Sequence, residues 1–175
     1  MDAEQQFQAA AQRYQSGDFS GAEACLEPVA QALPGNPNVL HLLSLARLQQ
    51  GKADAAAESL KTLTEVAPNS ADAHDLLGVA LRQAGRTNAA LRHFRRALEL
   101  NPQSADIHYN LGNAYRDDRQ VERAITHFKK AAELDPSNAN AFFNLGQAHM
   151  NRGDMAQALQ AFQQATRLAP QDAEA

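Results

Sequence analysis

Five prolines, Pro34, Pro68, Pro102, Pro136 and Pro170, recur at a strict interval of 34 residues. A proline lacks the amide hydrogen a helix interior needs, so prolines at a fixed period punctuate one repeated unit. A chain written this way folds as a stack of small units, each burying its apolar edge against its neighbours. Other columns keep the register. Glycine recurs as Gly17, Gly51, Gly85 and Gly153, with Arg119 in its place in the fourth unit. Ala22, Ala56, Ala90, Ala124 and Ala158 form a second column, followed four residues later by Leu26, Leu60, Phe94, Phe128 and Phe162. A third column holds only small residues: Ala10, Ser44, Gly78, Gly112 and Gly146.

The unit itself reads as a helical hairpin. Alanine, leucine and glutamine dominate, Val and Ile are scarce and Trp is absent, a bias towards helix over strand. In the fourth unit Ser104 is placed to cap a helix running from Ala105 to about Asp117, with Ile107, Leu111, Ala114 and Tyr115 on one apolar face. The polar stretch 117–120 predicts a turn, and Arg119 there predicts either a modest local strain or a slightly different turn. A second helix is expected from about Val121 to Leu134, with Ala124, Ile125, Phe128 and Ala131 buried. Small residues at Gly112 and Ala124 let two helices approach closely, and Phe128 fills the space beside them.

These columns closely resemble the tetratricopeptide repeat family. Its pattern of a Leu-Gly pair, an aromatic, an alanine, an aromatic and a proline is met by Leu111-Gly112, Tyr115, Ala124, Phe128 and Pro136. The third unit offers Leu77-Gly78, Leu81, Ala90, Phe94 and Pro102, and the fifth Leu145-Gly146, His149, Ala158, Phe162 and Pro170. The first two units match less closely. The resemblance implies an all-α, right-handed superhelical solenoid of five antiparallel helix-turn-helix repeats, one array over 3–172 with units 3–36, 37–70, 71–104, 105–138 and 139–172. It also implies a protein-protein interaction module, with a peptide or protein segment held in a concave groove lined by the first helix of each unit.

Residues three and four apart share a helix face, which selects the groove-lining side chains. They are Asp72, Asp75, Val79 and Arg82 in the third unit. The fourth contributes Asp106, Tyr109, Asn110, Asn113, Arg116 and Asp117, and the fifth Asn140, Phe143, Asn144, Gln147, Met150 and Asn151. Asn110 and Asn144 share a column and resemble the asparagine ladder of O-linked N-acetylglucosamine transferase repeats, where amides hold a peptide backbone. An amide suits that task because it both donates and accepts. The alternative for these two residues is a solvated or inter-repeat role. Arg82 and Arg116 are expected to set charge preference through charge-assisted hydrogen bonds. A chaperone-tail clamp needs lysine in a column that here holds Phe7, His41, Asp75, Tyr109 and Phe143, which argues against it.

Sharper chemistries find little support. His74 and His108 lie one period apart, as do His93 and His127, without cysteine pairs or a His-Glu-x-x-His helix, so packing explains them better than metal binding. Cys25 is the lone cysteine, which rules out an intramolecular disulfide. Arg82, Arg86, Arg92, Arg95 and Arg96 form a basic run, but a net charge of -4 favours a solvated helix face over nucleic acid. No catalytic constellation or nucleotide-binding loop stands out, and neither an enzyme activity nor a cofactor is expected. The amino terminus lacks the basic start and apolar stretch of a secretory signal, and no run approaches a membrane span, so a soluble cytoplasmic chain without membrane contact is expected.

Residues 172–175 read like the opening of a further unit, so 173–175 are expected to start a truncated sixth repeat. Leu159, Phe162 and Leu168 on the last helix are then expected to form an uncovered apolar end. Two readings follow. The chain is a portion of a larger protein, such as the bacterial arrays that precede glycosyltransferase or sulfotransferase domains, where it would recruit substrate. Otherwise it is a scaffold that associates end to end with another copy.

Overall fold

The computed structural model describes residues 2–169, which hold ten α-helices. They are α1 (Ala3–Gln15), α2 (Phe19–Ala32), α3 (Pro37–Gln49), α4 (Ala53–Val66), α5 (Ala71–Gln83), α6 (Thr87–Leu100), α7 (Ala105–Asp117), α8 (Val121–Leu134), α9 (Ala139–Arg152) and α10 (Met155–Leu168). No strand occurs among the described residues, so the all-α reading stands. Pro170 and the expected start of a sixth repeat at 173–175 lie outside the described residues. Packing divides the chain into two compact units, Met1–His93 and Phe94–Ala175, with the division inside α6.

Local chemistry sets the helix limits. Asp2, Asn36, Ser70, Ser104 and Asn138, again one period apart, cap α1, α3, α5, α7 and α9 by accepting a backbone N–H through their side chains. Removing such a cap costs about 1 kcal/mol, so the five caps hold every first helix in place. Each turn then leaves its first helix through a left-handed residue. Gly17, Gly51, Gly85 and Gly153 have φ between 72° and 91°. Arg119 adopts the same conformation with φ 59°, so the fourth turn is not rebuilt around its side chain but strained by it.

In the first unit α1 packs on α2, α2 on α3, α3 on α4 and α4 on α5. Leu26, Leu60 and Ala56 are fully buried there. One column departs from apolar packing: Glu23, 7% exposed, stands where Ala57 is buried one repeat later. Arg47 Nε reaches its Oε1 at 2.9 Å, while Lys52 Nζ at 2.6 Å and Gln50 Nε2 at 2.9 Å reach Oε2. Burial alone would raise the Glu23 carboxyl, but these three donors outweigh it and hold the group below its ordinary range. A polar clasp thus joins α2 to α3 and the following turn.

In the second unit α7 packs on α8, α8 on α9 and α9 on α10. The small-residue column explains how closely. A Cβ added to Gly112 would lie 2.5 Å from Phe128 Cδ1, and one added to Gly146 would lie 2.7 Å from Phe162 Cδ1. Glycine at those places lets the ring of the second helix lie directly on the backbone of the first.

Candidate functional site

The second unit brings most of the groove residues predicted from sequence onto α7 and α9. Their centre is a hydrogen-bonded joint. Asn144 Nδ2 donates to Tyr109 Oη at 3.1 Å and to Asn113 Oδ1 at 3.3 Å, while Arg116 Nη1 donates to Asn144 Oδ1 at 3.2 Å. Arg116 Nη2 also lies 3.6 Å from Asp117 Oδ1. Asn113 and Asn144 are buried, as such a satisfied network allows. Asn144 therefore spends both amide donors and its oxygen on linking α7 to α9. Of the two roles the sequence left open for it, the geometry matches the inter-repeat one.

Around the joint, other side chains stay accessible. Asp106, Asn140 and Asn151 are exposed, and Asn110 and Gln147 are half-buried. Phe143 and Met150, each 47% exposed, stand out on a helix whose Ala141, Gly146 and Ala148 are buried. Phe143 packs its ring 5.5 Å from Phe162, just as Tyr109, one repeat earlier, lies 6.0 Å from Phe128. Beside it opens an apolar hollow of about 640 Å³, lined by Ala139, Asn140, Phe143, Phe162, Ala165, Thr166 and Ala169. Its α10 wall escaped sequence reasoning, because a first-helix stripe takes no account of what the second helix adds.

The remaining predicted residues sit on α5 in the first unit. Asp72 is exposed, with Oδ2 3.2 Å from His41 Nδ1, and Asp75 and Arg82 are half-buried.

The histidines pair within hairpins. His74 Nδ1 lies 3.2 Å from His93 Nδ1, and His108 Nδ1 lies 3.0 Å from His127 Nδ1. His74 and His108 each turn Nε2 to a proline carbonyl, Pro68 O at 3.1 Å and Pro102 O at 3.3 Å. A carbonyl only accepts, so those Nε2 atoms carry the hydrogen, and within each pair one Nδ1 donates to the other. Burial, helped by the neighbouring imidazole and Arg95, lowers His127 to about 4, and burial likewise lowers His93 and His108. Among the described residues no three His, Cys, Asp or Glu side chains converge as a metal site. No helix there is long and apolar enough to cross a membrane.

Comparison with known proteins bears on this geometry. Tetratricopeptide repeat models match residues 13–79 and 109–173, and a TPR repeat model matches residues 78–118. No curated protein matches. Among solved structures, MamA is similar with a TM-score of 0.82 at 28% identity, over 95% of this chain and 97% of that one. MamA from Desulfovibrio magneticus RS-1 gives 0.86 at 24% identity, over 97% of each chain. YrrB, a TPR protein with an unusual peptide-binding site, gives 0.75 at 19% identity, over 97% of this chain and 88% of its own. With repeat models succeeding one another from residue 13 to residue 173 over capped helix pairs of fixed length, this chain belongs to the tetratricopeptide repeat family.

Proposed function

We propose that the chain is a protein-interaction module that binds an extended peptide or protein segment across the α7–α9 face. The carrying observation is the joint. Asn144, itself held by Asn113, fixes Tyr109 and Arg116, so both present polar atoms in a set position before any ligand arrives. Binding groups that are already ordered lose less entropy on association. Beside them Phe143 and Met150 offer exposed apolar contact next to an open hollow, the mixture of a few anchors with directional polar groups that peptide sites use. The shared fold with YrrB, itself a TPR protein with a peptide-binding site, supports the reading. Arg116 favours a ligand carrying a carboxylate at that point.

A phage-displayed random peptide library selected on the immobilised chain supplies the probe. Phe143→Ala and Arg116→Ala should each weaken the selected peptide about tenfold by calorimetry, the effect of losing roughly 1.4 kcal/mol of contact. Selected peptides that bind both variants as tightly as the parent would refute the site.

A further inference from the structure

A joint built around Arg47 in the first unit recurs two repeats later around Tyr115, with its charges left open. Arg47 Nε donates to Glu23 Oε1 at 2.9 Å, Nη2 to Glu27 Oε1 at 3.1 Å and Nη1 to Ser59 Oγ at 2.8 Å. Lys52 also lies on Glu23, so two cations meet two carboxylates and that joint is neutral. In the same columns two repeats on stand Tyr115 for Arg47, Arg95 for Glu27, Leu91 for Glu23 and His127 for Ser59. Both carboxylates are gone, and a cation replaces one of them. Arg95 Nε and Nη2 donate to Tyr115 Oη at 3.2 and 3.1 Å, across the same 20 residues that separate Glu27 from Arg47. A second guanidinium joins it: Arg123 Cζ lies 5.5 Å from the centre of the Tyr115 ring and Arg95 Cζ 5.8 Å. His127 stacks on the same ring with centres 5.3 Å apart. Burial, His108 and Arg95 hold His127 at about 4, so at neutral pH it brings no charge to the joint.

We infer that Arg95 and Arg123 bind a phosphate group beside Tyr115, carried by a phosphorylated side chain or a small phosphorylated molecule. Three observations point to it. First, among the described residues neither arginine pairs with a carboxylate, whereas Arg13, Arg86, Arg96 and Arg152 pair with Asp18, Asp54, Glu99 and Asp154. Second, the fold does not call for them. One repeat earlier the columns of Arg95, Arg123 and Tyr115 hold Lys61, Ala89 and Leu81. Two like charges at one ring are therefore particular to this place, and they repel until an anion arrives. Third, the Arg47 joint shows the charge that fits. It supplies two carboxylates from within, the Tyr115 joint lacks both, and a phosphate monoester brings close to two negative charges on one group. Planar guanidiniums offer paired N–H donors in the geometry that phosphate oxygens accept. Both arginines are exposed, so the group can approach from solvent. His127 also lines a hollow of about 600 Å³ with Leu98, Pro102, His108 and Lys130, which gives the carrier room.

NMR of the full chain, titrated with inorganic phosphate at constant ionic strength and slightly alkaline pH, tests this. Phosphate should shift the side-chain signals of Arg95, Arg123 and His127 with a Kd on the order of 1 mM. Arg95→Gln and Arg123→Gln should each weaken binding at least ~10-fold. Arg96→Gln removes the same charge one residue away and should leave the Kd unchanged. Acetate, with a single charge, should bind at least ~10-fold more weakly than phosphate. A phosphoserine peptide that binds more tightly than inorganic phosphate assigns the group to a modified protein; adenosine monophosphate doing so assigns it to a nucleotide. No shift at these residues, acetate as tight as phosphate, or equal weakening by Arg96→Gln would overturn the inference. The peptide selected for the α7–α9 face should bind Arg95→Gln as it binds the parent, so this site and the peptide reading fail separately.

Discussion

Arg119→Gly should stabilise the protein, although it deletes a charged side chain and adds nothing. Arg119 holds φ 59°, in the region where the other four turns place glycine. For an L-residue that conformation costs roughly 1–2 kcal/mol, which glycine avoids. Against this, glycine gives the unfolded chain more freedom, worth about 0.4–1 kcal/mol. The difference leaves a net gain of about 0.5–1 kcal/mol. Nothing offsets it in the turn: the amide of residue 119 donates to Arg116 O at 3.0 Å and that of Gln120 to Tyr115 O at 2.8 Å, both kept by glycine. For a chain of this size the gain corresponds to about 1–4 °C in Tm. The converse change isolates the same quantity, because a Cβ at Gly51 or Gly153 meets nothing within 4 Å. Gly51→Ala and Gly153→Ala should therefore lose about 1 kcal/mol through backbone conformation alone. Urea unfolding monitored by circular dichroism measures all three. If Arg119→Gly proves less stable than the parent while the alanine variants behave as expected, the side chain of Arg119 holds the turn and the strain argument is wrong.

Asn144→Ala should cost about 1–3 kcal/mol and lower the melting midpoint, because it takes their Asn144 partner from Tyr109 Oη, Asn113 Oδ1 and Arg116 Nη1 and leaves a buried gap. An unchanged melt would show that the joint is ornamental and return Asn144 to the ligand. Acid should weaken the fold through the histidine pairs: a ring held neutral when folded binds its proton more readily once unfolded, so the unfolded state takes up protons first. Stability attached to His127 is intact above its ordinary value of 6.5 and is lost as pH falls towards about 4, where the folded ring also protonates. Thermal melts over that window should slope downwards with acid, and His127→Gln should flatten the slope; an equal slope in the variant would refute the assignment.

The sequence was most legible where one residue type answers one local demand. Pro136, Ser104 and Gly112 each serve their own hairpin, and α7 and α8 end where the pattern placed them, at Asp117 and Leu134. Legibility was lower where the partner lies elsewhere. The sequence leaves Asn144 between a ligand ladder and a solvated or inter-repeat role, because its hydrogen-bond partners Tyr109 and Asn113 lie 35 and 31 residues earlier on the neighbouring α7. The histidines read as packing residues, but the period, which relates His74 to His108 34 residues away, gives no sign of their contacts: the turn of each hairpin sets His74 beside His93 and His108 beside His127, both 19 residues away. A repeat period says which positions are equivalent; it does not say which positions touch.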